Sequence, residues 1–101
     1  MKEMKQLEIF LKASINDNRL NSIHISLYLA LFIKYKEHDF RNPFPLIGTE
    51  IMRTSRIRDR SLYFLFLEQL QQYGYIRYFP SRSPLRLSMA QLLKLKFQKL
   101  Q

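Results

Sequence analysis

Apolar positions along this chain repeat at helical spacing through most of its length and alternate only in short stretches after residue 74. Met4, Leu7, Leu11 and Ile15 stand three and four residues apart, which places them on one face of a first helix over residues 2–15. Ile9 and Phe10 widen that face, and Lys2, Glu3, Lys5, Glu8 and Lys12 fill much of the remainder. Asn16-Asp17-Asn18-Arg19 reads as a turn. Asn21 or Ser22 then caps a second helix from Ile23 to about Glu37. Its apolar residues Ile25, Leu27, Tyr28, Leu29, Leu31, Phe32 and Ile33 cover most of the circumference, so this helix belongs inside a core.

Pro43 and Pro45 restrict themselves and the residues before them, so residues 40–45 are extended and supply a short first strand ending at Leu46 or Ile47. Gly48 or Thr49 opens a brief helix through Met52 or Arg53. Residues 54–58 make a turn in which Ile57 is the apolar plug. Asp59 is an N-cap for a helix from Arg60 to Tyr73, and Gly74 suits the left-handed residue that stops it. At about 100° per residue, Tyr63, Phe66, Leu67 and Leu70 share the inward face. Leu62 and Tyr73 flank it, and Ser61, Phe64, Leu65, Glu68 and Gln72 look outward. Residues 75–79 read as a strand, and Pro80-Ser81-Arg82-Ser83-Pro84 as a basic loop. The segment 88–97 is two-valued. Ser88 with Gln91 matches a helix capping box, whereas Leu93-Lys94-Leu95-Lys96-Phe97 alternates as a strand does. A hairpin needs a returning strand, which favours one beginning near Met89.

A short helix, a turn, a longer helix and a strand pair follow the plan of a winged helix-turn-helix. The expected fold is mainly α with a small β-hairpin. Residues 1–18 form an extra N-terminal helix, a candidate dimerisation arm, and residues 19–101 form the winged helix-turn-helix domain.

Charge changes the picture more than composition does. The chain has 101 residues, 47% of them hydrophobic, enough for one folded core. Cysteine is absent, which removes disulfides and thiolate ligands and fits a cytoplasmic protein. The longest apolar run, from Leu27 to Ile33, is seven residues, against about 20 for a membrane span. The net charge is +9, and all seven basic residues from Arg53 to Arg86 are arginine, opposed there only by Asp59 and Glu68. The eight lysines lie outside that window. Guanidinium groups pair bidentately with phosphate and with guanine edges, so concentrated arginine points to nucleic acid.

Catalytic and metal chemistry find no support. There are two glycines, no G-x-S-x-G elbow and no phosphate-cradling loop. Asp17, Asp39, Glu50 and Asp59 belong to different elements, and Tyr63, Tyr73, Tyr75 and Tyr78 fall where core and strand residues do. His24 and His38 lie fourteen residues apart without a second ligand pair, so neither a metal nor another cofactor is expected.

The segments LNSIHISLYLALF, NPFPLIGTEIM, SRIRDRSLYFLFLEQL and YGYIRYFPSRSP, taken in that order, resemble small winged-helix proteins of bacterial conjugative transposons and other mobile elements. The likeness runs roughly from Leu20 to Leu92 and is densest at Glu50–Ile57 and Gly74–Pro84. It implies a winged-helix fold and DNA binding by a transcriptional regulator. One departure stands out: the family's second helix presents polar or basic side chains outward, where this chain has Phe64 and Leu65.

The expected function is sequence-selective binding of double-stranded DNA on the nucleoid, by a homodimer, with no membrane partner. The candidate DNA contacts are Arg53, Ser55, Arg56, Arg58, Arg60, Ser61, Arg77, Arg82 and Arg86. Met4, Leu7, Leu11, Phe64 and Leu65 are candidate protein-interface residues. The alternatives are an architectural, excisionase-like or replication-accessory DNA binder, and a winged-helix module that holds a protein partner without DNA.

Overall fold

The computed structural model describes residues 2–95, with side chains from Met4 onward. Four helices and a small three-stranded antiparallel sheet follow in the order α1 (Lys2–Asn16), α2 (Ser22–Glu37), β1 (Phe44–Leu46), α3 (Gly48–Ser55), α4 (Arg60–Gln72), β2 (Ile76–Phe79) and β3 (Ser88–Leu92). The chain is therefore mainly α with a small β component. None of the described helices is long and apolar enough to cross a membrane.

The two-valued segment resolves as a strand because it has partners on both sides. β3 is the middle of the sheet, with Phe44 opposite Ala90 on one edge and Tyr78 opposite the same Ala90 on the other. Asn42 extends the β1 edge: its amide donates to Leu92 C=O (3.1 Å) and its carbonyl accepts from Leu92 N–H (3.0 Å). Lys96 and Phe97, the end of the alternating stretch, lie outside the described residues. Phe44, Leu46, Ile76, Ala90 and Leu92 point from one sheet face into the core. Pro45, Met89, Gln91, Arg77 and Phe79 occupy the other face by the same register.

α2 is the central helix, with Leu27, Tyr28, Ala30, Leu31 and Phe32 buried. It starts on a capping box in which histidine replaces the usual glutamate. The Asn21 side chain accepts from Ile23 N–H (2.8 Å) and His24 N–H (3.2 Å), and His24 Nδ1 accepts from Asn21 N–H (3.0 Å). Since Nδ1 accepts, Nε2 carries the proton and donates to Gln69 Oε1 at 2.7 Å. The buried His24 thus fastens the start of α2 to α4.

α1 docks through a different stripe from the one its spacing suggested. Phe10, fully buried, stacks on Tyr28 (centroids 3.6 Å, 7° between planes) and meets Tyr75 edge-on at 5.3 Å. Gln6 Nε2 donates to Tyr28 Oη (2.9 Å) and Leu93 C=O (2.8 Å). Leu7 and Ala13 pack beside them, which leaves Met4, Leu11 and Ile15 exposed. The aromatic ring decides: it buries more area than any aliphatic on the helix, so the helix turns to seat it.

Candidate nucleic-acid interface

α3 and α4 are joined by a turn over residues 56–59, which begins two residues later in the chain than its composition suggested. α3 continues through Thr54 and Ser55 because Ser55 Oγ donates back to Ile51 C=O (2.7 Å), which satisfies the hydroxyl inside the helix. Ser55 C=O in turn accepts from Ser26 Oγ at 2.6 Å. Ser55 is only 3% exposed, so its side chain cannot reach a ligand at the surface, and it leaves the set of candidate contacts. Its place is structural: it joins α3 to α2.

Arg56 ends α3 in the left-handed region, with φ 64° and ψ 26°. That conformation lets Ile57 N–H reach Met52 C=O (3.0 Å) and turns Ile57 into the core, as its apolar character suggested. Asp59 caps α4 by accepting from Leu62 N–H at 3.1 Å, so its carboxylate is engaged on backbone between Arg58 and Arg60. Tyr63, Phe66, Leu67 and Leu70 are buried as the spacing indicated, and Ser61, Phe64, Leu65, Glu68 and Gln72 are exposed. Phe64 and Leu65 remain 43% and 47% accessible, which is high for an apolar pair on one helix.

The hairpin doubles back along α4. Gln71 Oε1 accepts from Tyr78 N–H at 2.7 Å. Burial, with a smaller contribution from Tyr78 and opposed by Arg60, pushes the Tyr63 hydroxyl up to about 12. β2 then ends at Phe79 and gives way to the loop that precedes β3. Serines stitch this loop over residues 80–87. Ser81 N–H donates to Ser88 Oγ (3.2 Å), Ser83 N–H to Ser81 Oγ (3.2 Å), and Leu85 N–H to Ser83 Oγ (3.2 Å).

Arg53, Arg56, Arg58 and Arg60 follow one another from the last turn of α3 to the first residue of α4, with Ser61 next. Arg82 and Arg86 project from the hairpin loop. Arg77 stands apart on β2, opposite Gln91 and on the sheet face turned from the core. All seven arginines are exposed, and among the described residues none forms an ion pair. By contrast, Arg19 is held by Asp17 (2.7 Å) over the Tyr73 ring, and Lys34 by Glu50 (2.6 Å) and Glu37 (3.0 Å).

No protein-family model, curated protein or solved structure matches this chain.

One residue had no signal in the sequence. Leu85 is 92% exposed between Arg82 and Arg86, and only the conformation of the loop reveals it. Among the described residues no group of three His, Cys, Asp or Glu side chains is placed to hold a metal ion.

Proposed function

We propose that this chain is a winged helix-turn-helix protein that binds double-stranded DNA in a sequence-selective manner and regulates transcription. In this reading α3 and α4 are the helix-turn-helix, α4 is the groove-reading helix, and the loop over residues 80–87 is the wing. The observation that carries it is the state of the seven arginines from Arg53 to Arg86. An exposed guanidinium with no carboxylate partner presents all of its donors to a ligand, and phosphate is the ligand that fits its planar fork. Elsewhere the chain pairs Lys12, Arg19 and Lys34, while Lys5, Lys36, Arg41 and Lys94 also lack ion pairs among the described residues, so what sets this region apart is the number of unpaired arginines it gathers.

Arg53, Arg56, Arg82 and Arg86 contact the backbone and set register, and Arg58, Arg60 and Ser61 lie nearest the base edges. Glu68, outward in the next turns of α4, accepts from a cytosine amino group, and Leu65 lies against a thymine methyl. The exposed stripe Met4, Leu11 and Ile15 on α1 provides the face for a homodimer reading two half-sites. The protein then acts in the cytoplasm, on the nucleoid. The exposure of Phe64 and Leu65 favours a second reading, a winged-helix module that grips a protein partner with α4.

Selection from random duplexes at two salt concentrations, with a mass measurement of the oligomer, tests this. If Arg53, Arg56, Arg82 and Arg86 each neutralise one phosphate, the log–log salt slope is about −3.6. An enriched motif with that steep dependence supports DNA reading. Absence of duplex binding at low salt refutes it and leaves the protein-partner reading.

A further inference from the structure

Ile23 and Leu62 are both exposed, yet neither faces open solvent alone. Both line a cleft of about 360 Å³ beside the first turn of α2 and the turn joining α3 to α4, and the buried Ile57 lines it with them. The backbone and hydroxyl of Ser55 are engaged with Ser26 and Ile51, so the inner end of the cleft has no unsatisfied polar atom to attract water. Arg56 and Arg58 also line it, and among the described residues neither has an ion-pair partner.

A mostly apolar slot with two unneutralised guanidinium groups has a definite chemical preference. The volume is near the small end of the range for ligand pockets, about 300–1,000 Å³, so it suits a small molecule rather than a helix. The walls require an apolar body. The arginines require an anion, and a carboxylate matches their fork. We infer that this cleft is a binding site for a small amphipathic carboxylate, an aromatic or short aliphatic acid, whose apolar part lies between Ile23, Ile57 and Leu62 and whose carboxylate pairs with Arg56 and Arg58.

Occupancy has a consequence for nucleic acid. Arg56 and Arg58 cannot serve a carboxylate and a DNA strand together, so acid and duplex exclude one another, and each weakens the other by the same factor. This coupling rests on the DNA reading given above; the cleft itself does not.

Amide-resolved NMR titration of the full chain, without DNA, is the test. Benzoate and hexanoate are the probes, and benzyl alcohol and hexanol are their neutral counterparts. Saturable shifts confined to Ser22, Ile23, Ile57 and Leu62 and their neighbours are expected with the acids. The alcohols should bind at least about tenfold more weakly. The exposed double variant Arg56→Ala/Arg58→Ala should remove the preference for the acids while its amide dispersion stays native. Equal binding of acid and alcohol, an unchanged preference in the double variant, or no saturable shift up to about 10 mM acid overturns the assignment. A duplex competition is then run separately. A protein that binds acid but no duplex overturns the DNA reading and keeps the cleft. One that binds duplex but no acid does the reverse.

Discussion

Replacing Arg56 by glycine should stabilise the fold and, in the DNA-binding reading proposed above, weaken duplex binding. At φ 64° an L-residue carries a steric cost of about 1–2 kcal/mol, which glycine escapes. Against this, glycine adds about 0.4–1 kcal/mol of unfolded-chain freedom. The arginine side chain is exposed and not ion-paired, so its loss changes stability by only about 0.5 kcal/mol either way. The hydrogen bond from Ile57 N–H to Met52 C=O involves backbone alone and survives. The balance favours Arg56→Gly by about 0.5–1 kcal/mol, or roughly 0.5 M in the urea midpoint. Arg56→Ala is the control. It keeps the strain and should unfold with the parent protein, and both variants should lose about 0.9 from the DNA salt slope. The assay is urea unfolding followed by circular dichroism, beside duplex titrations at several salt concentrations. If glycine proves no more stable than alanine, the left-handed turn does not carry the strain argued here. If neither variant alters the salt slope, Arg56 is not a phosphate contact.

Three other outcomes are expected. Phe10→Ala should cost about 3–5 kcal/mol in chemical denaturation, because it empties a fully buried site between Tyr28 and Tyr75; a loss under about 1 kcal/mol would mean that α1 is not docked. The Arg19 side chain, aided by the Tyr75 hydroxyl, holds the Asp17 carboxyl well below its ordinary value. A depressed carboxylate stabilises the fold above its unfolded pKa, and that contribution fades as pH falls towards the folded value. The parent and Asp17→Asn should therefore differ by about 1–3 kcal/mol in urea unfolding from about pH 7 down to about pH 4, and the gap should narrow only as pH is lowered further to about 2; a gap that does not shrink below about pH 4 would refute the assignment. If the chain binds duplex as proposed, Leu85→Ala should leave the salt slope unchanged but reduce any bend imposed on a labelled duplex, measured by end-to-end energy transfer, because an exposed leucine between arginines is able to wedge a base step; an unchanged bend would count against it.

How much of this was legible in the chain depends on whether the deciding interaction is local. Asp59, Gly74 and the inward face from Tyr63 to Leu70 fix α4 within one segment, and the structure follows them. The outward Phe64 and Leu65 were legible for the same reason. β3 was legible only through the hairpin's need for a returning strand, since a capping box and an alternating tail make equal local claims, and its pairing with β2 and β1 bears that expectation out. The docking face of α1 was hidden because aliphatic spacing carries no information about where a stacking partner such as Tyr28 stands. Ser55 reads as a surface residue of a turn by composition, and only the extra helical turn draws it inside. Leu85 and the cleft between Ile23 and Leu62 arise from loop and helix placement, which no periodicity encodes.

The contact between Gln6 and Leu93 spans 87 positions and has a consequence for how the molecule is made. During synthesis α1 leaves the ribosome well before half of its seat, Tyr75 and Leu93, is translated. The Phe10 face must wait for nearly the whole described chain to emerge, so docking of α1 marks the end of folding rather than its start. A nascent chain halted before Tyr75 would carry that aromatic face uncovered, which makes this helix the natural point for a chaperone to hold.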